Sequence, residues 1–357
     1  MALNTVLILL CIHASLAKGR EGELTGKLVE KHARKGLREG LEDFTQSIYL
    51  HMASKQDGAN FVFSPLSIHS ALSMLYLGTK HFSESSEELA KALGVINNRA
   101  LLRTGYKNVV DTYRNESNFL YANNFWLQES FAVKPKFRTV VETSMNSGID
   151  SIDFGALDSV ERVNGWVSNK TNGKITDLVD SFSSDTSLFL ANALFFKESW
   201  EVPFLAMNPI TGEEVEGEFQ LAGGKRLRVP MMEQRSSKIG YKNINMKGLR
   251  AEFVTIPYEN SLFEMQIILP KSEQEMRTIE SHMVLGKQQD LTRNSPSYFN
   301  IFSQKSRVDP EDLVDDVLLK MPTFQIKTDM NAVEPLQELG VNKVGNNLEE
   351  SDRPSGV

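Results

Sequence analysis

The chain has 357 residues, of which 41% are hydrophobic and 24% are charged, with a formal net charge of −7. This length allows one large domain or two ordinary ones, and the composition is typical of a globular protein rather than a disordered or fibrous one. The acidic balance argues against a general nucleic-acid-binding protein, although it leaves a local basic patch open.

The first residues predict the compartment. The segment VLILLCIHASLA, from Val6 to Ala17, is a short apolar run with small residues at Ser15 and Ala17. It is typical of a secretory signal peptide cleaved after Ala17, although no Lys or Arg precedes it, and the alternative is a short amphipathic helix. The run is too short to span a bilayer, and no later stretch is long enough. We therefore predict a secreted, extracellular protein with a signal peptide at residues 1–17.

Cysteine and glycosylation patterns fit secretion. Cys11 is the only cysteine and lies inside the leader, so the mature chain has no disulfide and must rely on a large core. Thiol nucleophiles and cysteine-based zinc sites are excluded after cleavage. Sequons at Asn115 and Asn169 are candidate glycosylation sites of a secreted glycoprotein.

The first helical region is rich in charge. A basic run stands among glutamates: Lys27, Lys31, Arg34, Lys35 and Arg38. The pattern has two interpretations, a face that makes weak contact with a polyanion or the solvated face of a helix, and we favour the second.

The stretch NFVFSPLSIHSALSMLYLGTK predicts a helix. Ser64 suits its N-cap and Pro65 its first position, while Gly78 suits its end. Apolar residues recur at helical spacing and form one face: Ile68, Ala71, Leu72 and Leu75.

Two capping boxes predict further helices. Ser85 and Glu88 begin one that Gly94 ends. Asp158 and Glu161 begin another, which ends before Asn172 and Gly173.

Strand patterns follow. FLYANNFWLQ (Phe119–Gln128) and GIDSIDF (Gly148–Phe154) read as strands, and SLFLANALFF (Ser187–Phe196) predicts a strand buried on both faces. Asn192 interrupts that last run, and a buried amide must find hydrogen-bond partners, so we predict a network residue there. AEFVTIPYENSLFEMQIILP (Ala251–Pro270) predicts a hairpin.

The order of these elements predicts an α+β fold, because strands dominate the second half without alternating with helices. No catalytic signature accompanies them: the chain contains no G-x-S-x-G and no H-E-x-x-H motif, and its histidines are scattered. We expect no catalytic centre, no metal site and no cofactor.

Taken in order, these segments resemble the serpin superfamily of serine protease inhibitors. The similarity runs from about residue 36 to Val344. The segments that carry it are NFVFSPLSI, ALSMLYLGTK, VNGWVSNKTNGKITDLV, LFLANALFFKESWEVPF, VPMMEQ, IPYENSLFEMQIILP and LLKMPTFQI.

The resemblance implies a single serpin-like domain, with a large main sheet, further sheets and about eight or nine helices. It also implies a monomer that inhibits serine or cysteine proteases as a suicide substrate, with no nucleic acid or membrane partner. The protease cleaves an exposed reactive loop near the C-terminus and is trapped as an acyl-enzyme when the loop inserts into the main sheet.

The resemblance also assigns roles. Ser64, Pro65, Ser67 and Asn192 match the shutter, where the sheet opens for the loop. Trp200 matches the family's tryptophan at the breach, where insertion starts.

The sequence departs from the family pattern in three places. Glu198 stands where the family commonly has Gly, and residues 273–317 predict an expanded surface loop. After Val344 no small-residue hinge run follows, so we expect an incomplete serpin-like domain at 18–344, without the C-terminal strands and the reactive centre. Residues 345–357 then form a divergent polar tail.

Two functions remain open at this point. The chain is either a truncated isoform of a protease inhibitor, non-inhibitory as written, or a non-inhibitory serpin-fold binding or carrier protein. The sequence does not name a target protease.

Overall fold

A computed structural model describes residues 7–9, 24–55, 59–95, 98–113, 116, 119–207, 212–221, 225–246, 249–259, 263–289, 316–326, 328 and 333–342. The chain divides into two compact units. The first contains Met1–Ser15, Ala53–Phe61 and Glu198–Lys327, and the second contains Leu16–Met52, Val62–Lys197 and Thr328–Val357. Most of the predicted leader, Asn115 and the tail 345–357 lie outside the described residues.

Helices and strands are both well represented. The helices are α1 (Leu24–Lys55), α2 (Pro65–Gly78), α3 (Glu84–Ala92), α4 (Arg99–Tyr113), α5 (Pro135–Met145), α6 (Ser159–Lys170), α7 (Glu273–Gln289) and α8 (Val333–Glu338). The strands are β1 (Leu7–Leu9), β2 (Phe119–Gln128), β3 (Ser147–Ile152), β4 (Leu188–Phe196), β5 (Glu216–Gln220), β6 (Arg226–Ser236), β7 (Gly240–Met246), β8 (Leu249–Pro257), β9 (Glu264–Pro270) and β10 (Val317–Pro322).

The second unit is built on the sheet β3-β2-β4. β2 is parallel to β3 and antiparallel to β4, and its register places Asn123 opposite Asn192. One part of the core lies between this sheet and α6, and it consists of Trp126, Ile152, Phe154, Val163 and Ala191.

Helix α2 begins as predicted. The Ser64 side chain accepts a hydrogen bond from the Ser67 amide, and Pro65 occupies the first turn. The apolar face is not the only part of the helix that is buried, because four polar residues are buried as well: Ser67, His69, Ser70 and Ser73. A helix enclosed on all sides must satisfy such groups inside the protein, so these four side chains are expected to hydrogen-bond.

Both predicted capping boxes need correction. Helix α3 begins at Glu84, and its cap is Ser83, whose side chain accepts from the Ser86 amide, rather than Ser85. Asp158 does precede α6, but it makes no side-chain capping hydrogen bond. The left-handed backbone of Phe82 turns the chain into α3 two residues earlier than the motif predicts.

Strand β4 also differs from its prediction. Ala191 is its one buried residue among the side chains that the structure describes, and the others are half-buried. The reason is its position, since β2 is the only described strand paired with β4. Its other edge carries no described strand.

The first unit contains two sheets, with strand orders β1-β9-β8-β7 and β10-β6-β5. The predicted hairpin is confirmed, since β8 and β9 pair antiparallel along the whole of β9. Because Gln266 and Ile268 are as buried as Met265 and Ile267, β9 is enclosed on both faces. The expanded loop predicted from residue 273 is wrong at its start, where residues 273–289 form α7.

Candidate functional site

The start of α2 holds a pair of serines predicted for the shutter. The Ser67 hydroxyl donates to Ser64 Oγ over 2.8 Å, and the Ser67 amide donates to the same oxygen over 3.3 Å. Pro65 lies between them at the first helical position, where no backbone donor is needed. Residues within one turn of α2 are therefore sufficient to position the Ser64–Ser67 pair.

A second group of polar side chains lies between α2 and the sheet. Ser70 Oγ lies 3.0 Å from the carbonyl oxygen of Ser67 and 3.4 Å from Oδ1 of Asn123, so two acceptors share one hydroxyl proton. Asn192 Nδ2 donates to the same Oδ1 of Asn123. Three of the four predicted shutter residues, Ser64, Ser67 and Asn192, thus belong to one network joining α2, β2 and β4.

Sequence reasoning missed Ser70 and Asn123, which connect the two ends of this network. Asn123 is 1% exposed, and its Nδ2 has no partner among the described atoms. A buried amide donor left unpaired costs on the order of 1–3 kcal/mol. The network is therefore incompletely satisfied at its centre.

The neighbouring amide, Asn124, is satisfied. Its Nδ2 donates to Asp150 Oδ2 over 2.9 Å, and its strand neighbour is Gly148. A Cβ at Gly148 would overlap Oδ1 of Asn124, so the buried amide depends on glycine at this position.

His69 is fully buried on α2. A carbonyl oxygen can only accept, so the 3.0 Å contact with Leu93 requires a proton on Nε2, and Nδ1 then accepts from the Tyr106 hydroxyl over 2.5 Å. Burial lowers the pKa of His69 from 6.5 to about 4, against a smaller opposing effect of the Leu93 hydrogen bond. The imidazole is therefore neutral at neutral pH and acts as a structural group.

Helix α6 covers the sheet and anchors the segment that follows it. Trp166 packs edge-on against Trp126, with ring centroids 5.1 Å apart. The Asn164 side chain accepts from the amides of Leu178 and Val179 and donates to the Val179 carbonyl. One side chain thus fixes the connection between α6 and β4.

Trp200, predicted at the breach, lies in the first unit. Its ring stacks on Tyr258 with centroids 4.4 Å apart and an interplanar angle of 14°. Burial, and then the negative charge of Glu198, raise the pKa of the Tyr258 hydroxyl. The negative charge of Glu198, the residue that departs from the family pattern, therefore favours the protonated form of the tyrosine in this stacked pair.

The remaining predicted sites are surface features. Asn169 is exposed at the end of α6, and its glycosylation stays a prediction. On α1, Lys31, Lys35 and Arg38 are exposed, and Lys35 pairs with Glu39 over 3.6 Å.

One group of metal-ligating side chains occurs within the described ranges. His51, Glu334 and Glu338 place three ligand atoms within 4.8 Å of one another. Glu334 and Glu338 are exposed, and His51 Nδ1 lies 2.6 Å from Glu338, so α1 is already tied to α8 by an ordinary hydrogen bond.

The family of the chain follows from comparison with known proteins. A family model described as Serpin (serine protease inhibitor) matches residues 39–350. The chain belongs to the serpin family, whose members are typically protease inhibitors and not catalytic enzymes.

Two curated relatives illustrate the similarity. Antichymotrypsin-2 of Bombyx mori is 27% identical over 316 residues, which cover 87% of this chain and 77% of the relative. Leukocyte elastase inhibitor of Bos taurus is 26% identical over 311 residues, which cover 84% of this chain and 75% of the relative.

Solved structures agree on the fold. Cleaved Serpin 42Da matches with a TM-score of 0.72 at 23% identity, covering 92% of this chain and 80% of that one. Kallistatin, solved in a complex with heparin, matches with a TM-score of 0.73 at 22% identity, covering 89% of this chain and 87% of that one. The predicted α+β serpin fold is confirmed.

None of the helices within the described ranges is long and apolar enough to cross a membrane.

Proposed function

We propose that this protein is a secreted, non-enzymatic serpin of the protease-inhibitor class, and that the polypeptide Met1–Val357 does not trap a protease by itself. The observation that supports the protease-inhibitor class is the arrangement of β4. It is a nine-residue strand whose only described neighbour is β2, and Asn192 at its centre belongs to the network under α2.

Strand insertion at β4 would use both features. An extended segment laid along the edge of β4 that carries no described strand would pair with its backbone amides and carbonyls. Helix α2 would have to shift relative to the sheet as the strand entered. The shared Ser70 proton and the unpaired Asn123 amide favour such a shift, because little hydrogen-bond energy holds the network at that point.

The second part of the proposal rests on the sequence after α8. The backbone amide of Asn342 donates to Glu88 over 2.8 Å, and Val341 is buried, so the chain is held in the second unit up to there. From Gly345 to Val357 the residues are mostly polar and contain no run of small residues that could insert as a strand. A hinge and a reactive loop would have to come from other residues.

A protease panel tests the second part. The chain Met1–Val357 is incubated with trypsin-, chymotrypsin- and elastase-type proteases, beside the Bos taurus leukocyte elastase inhibitor as a positive control. We expect no SDS-stable complex with this chain, and one such band would overturn the proposal. A ligand that copurifies with a stable secreted chain would instead favour the carrier function.

Expression in animal cells tests secretion. We expect the chain in the medium, with an N-terminus at Lys18 and a mass that falls after glycosidase treatment. Substituting Asn115→Gln and Asn169→Gln separately identifies the occupied site. Retention of Met1 in a cytoplasmic product would contradict the secretion proposal.

We also propose that the basic face of α1 makes at most weak contact with a polyanion. Intrahelical pairs, Lys35–Glu39 and Arg38–Glu42, neutralise part of its charge. We expect elution from immobilised heparin at low salt, with earlier elution of a Lys31→Gln, Lys35→Gln variant. Equal elution of the two proteins would exclude this face as the contact.

A further inference from the structure

Two Asn–Gly pairs lie close together in the second unit. Asn164–Gly165 is in the interior of α6, and Asn172–Gly173 lies just beyond its C-terminal end. Asparagine is a chemically labile residue, and a following glycine makes it prone to spontaneous deamidation because no side chain shields the glycine nitrogen. The sequence alone therefore predicts similar reactivity at the two pairs, whereas the structure distinguishes them.

Deamidation requires a mobile backbone and water. The glycine nitrogen loses its proton and attacks Cγ of the preceding asparagine. A bond from this nitrogen to Cγ forms, the bond from Cγ to the side-chain nitrogen breaks, and ammonia leaves. Water then opens the succinimide ring at one of its two carbonyls, which gives aspartate or isoaspartate without a change of oxidation state. A pair therefore reacts only when the glycine amide leaves its hydrogen bond and the asparagine side chain turns towards it.

Asn164 is held against both movements. Its Oδ1 accepts from the amides of Leu178 and Val179 over 2.9 Å and 3.0 Å, and its Nδ2 donates to the Val179 carbonyl over 2.8 Å. Gly165 is the seventh residue of α6, so its amide donates to the carbonyl four residues earlier. Ring closure at Asn164 would break the helix interior and three side-chain hydrogen bonds together.

Asn172 and Gly173 form the C-terminal cap of α6. Both have left-handed backbone conformations, with φ of 52° and 72°, and the Gly173 amide donates to the Ser168 carbonyl over 2.7 Å. Both residues are exposed, and the Asn172 side chain makes no hydrogen bond among the residues that the structure describes. The hydrogen bond that restrains the Gly173 nitrogen thus lies at a helix end, where local opening costs least.

We propose that Asn172 is a site of spontaneous deamidation in the folded chain, gated by opening of the α6 cap, and that Asn164 is protected by its three hydrogen bonds. Either product places a negative charge at the C-terminal end of α6, which the helix dipole disfavours. Isoaspartate also lengthens the backbone by one methylene group. The modification therefore weakens the cap and loosens the connection from α6 to β4.

The first test needs no variant. The full chain is kept at mildly alkaline pH, folded or in guanidinium, and peptide-mapping mass spectrometry follows conversion at both pairs. Dividing the rate in the denatured chain by the rate in the folded chain gives a protection factor for each pair. We expect conversion at Asn172 in the folded chain, with a protection factor at least about tenfold smaller than that of Asn164.

The other results of this test contradict the proposal. No detectable conversion at Asn172 in the folded chain, or equal protection of Asn164 and Asn172, would overturn it. A protection factor of one at Asn172 would show that the cap does not gate the reaction.

The second test loosens the cap without changing either pair. The buried Thr171 hydroxyl donates to the Val167 carbonyl over 2.8 Å, and its oxygen accepts from the Ile175 amide over 3.1 Å. Thr171→Val keeps the shape of the side chain but removes both hydrogen bonds. We expect it to lower the protection factor of Asn172 at least about threefold and to leave that of Asn164 unchanged.

The matched control is Thr176→Val. Thr176 is exposed beyond the cap, and its hydroxyl donates to the Asp177 side chain over 2.8 Å. We expect the control to change neither protection factor. An equal effect of the two substitutions at Asn172, or no effect of Thr171→Val in a folded chain, would overturn the gating by the cap. If Thr171→Val does not fold, the comparison of the two pairs in the wild-type chain decides.

Discussion

His69 should make the stability of the second unit depend on pH between about pH 4 and pH 6.5. The histidine is neutral and fully buried in the folded chain, where burial lowers its pKa to about 4. In the unfolded chain the same group has an ordinary pKa near 6.5. Below pH 6.5 the unfolded chain therefore binds a proton that the folded chain does not accept until about pH 4.

The magnitude follows from the two pKa values. Proton binding by the unfolded state favours unfolding. The stability that the neutral, buried His69 contributes is therefore complete above pH 6.5 and is lost progressively as the pH falls through about 4. The difference between 6.5 and about 4 corresponds to about 3 kcal/mol. That is a large part of the stability of an ordinary domain.

The matched variant is His69→Gln, which does not titrate but offers an amide donor for the Leu93 carbonyl and an oxygen acceptor for Tyr106. Denaturant unfolding of both proteins at pH 7.5 and pH 4.5 isolates the effect, because all other titrating groups are shared. We expect the wild-type chain to lose about 2.5 kcal/mol more than the variant over this range, since the full difference is reached only below pH 4.

An equal loss in the two proteins would refute the reasoning. If the variant does not fold, the NMR titration of the His69 ring in the wild-type chain replaces it. A ring that protonates near pH 6.5 without unfolding would likewise refute the assignment.

Four further substitutions test three other features of the structure. Burial raises the pKa of the Glu264 carboxyl to about 7. The protonated carboxyl therefore contributes fully to the stability of the folded chain below about pH 4.5, and this contribution is lost as the pH rises through about 7. Glu264→Gln should stabilise the chain by about 3 kcal/mol at pH 8.5 but little at pH 4.5. A gain of the same size at both pH values in denaturant melts would contradict this. Gly148→Ala should cost about 1–3 kcal/mol because its Cβ would overlap the buried Asn124 amide, whereas Gly165→Ala, a helical site with no atom within 4 Å, should gain about 0.5–1 kcal/mol. Thermal melts that rank these two variants in the opposite order would show that the contact is not restrictive. Asn192→Ala should lower the free energy of unfolding by about 1–3 kcal/mol, because it removes the donor to Oδ1 of Asn123 on β2. A loss below about 0.5 kcal/mol in chemical denaturation would show that this hydrogen-bond network does not stabilise the fold.

Features encoded in a few adjacent residues were predictable from the sequence. Ser64 and Pro65 begin α2 because cap and first-turn preferences act within one turn of helix. The β8–β9 hairpin follows from alternation and a short connection. The position of Asn192 predicts a network residue, because an amide inside an apolar strand must find hydrogen-bond partners.

The partners of Asn192 required the tertiary structure. Asn123 interrupts its apolar strand just as Asn192 interrupts β4, so a signal for it exists in the sequence. Nothing in the sequence states that the two strands align at these residues, or that Ser70 on α2 faces them. Register between distant strands and the choice of packed helix face depend on contacts far apart in the chain.

Burial was the least predictable property. The apolar run of β4 predicts a strand buried on both faces, but burial depends on how many neighbours a strand has, and composition does not report that number. The difference has the opposite sign at α2, where Ser70 and Ser73 are buried although serine is usually exposed.

The central claim is that β4 and the network beneath it form a serpin scaffold able to take up a further strand. The most direct test joins the C-terminal segment of the Bos taurus leukocyte elastase inhibitor to this chain after Val344 and incubates the chimera with leukocyte elastase. We expect an SDS-stable complex with the chimera and none with the chain Met1–Val357. A chimera that folds cooperatively, but that elastase cleaves without forming any stable complex, would contradict the claim.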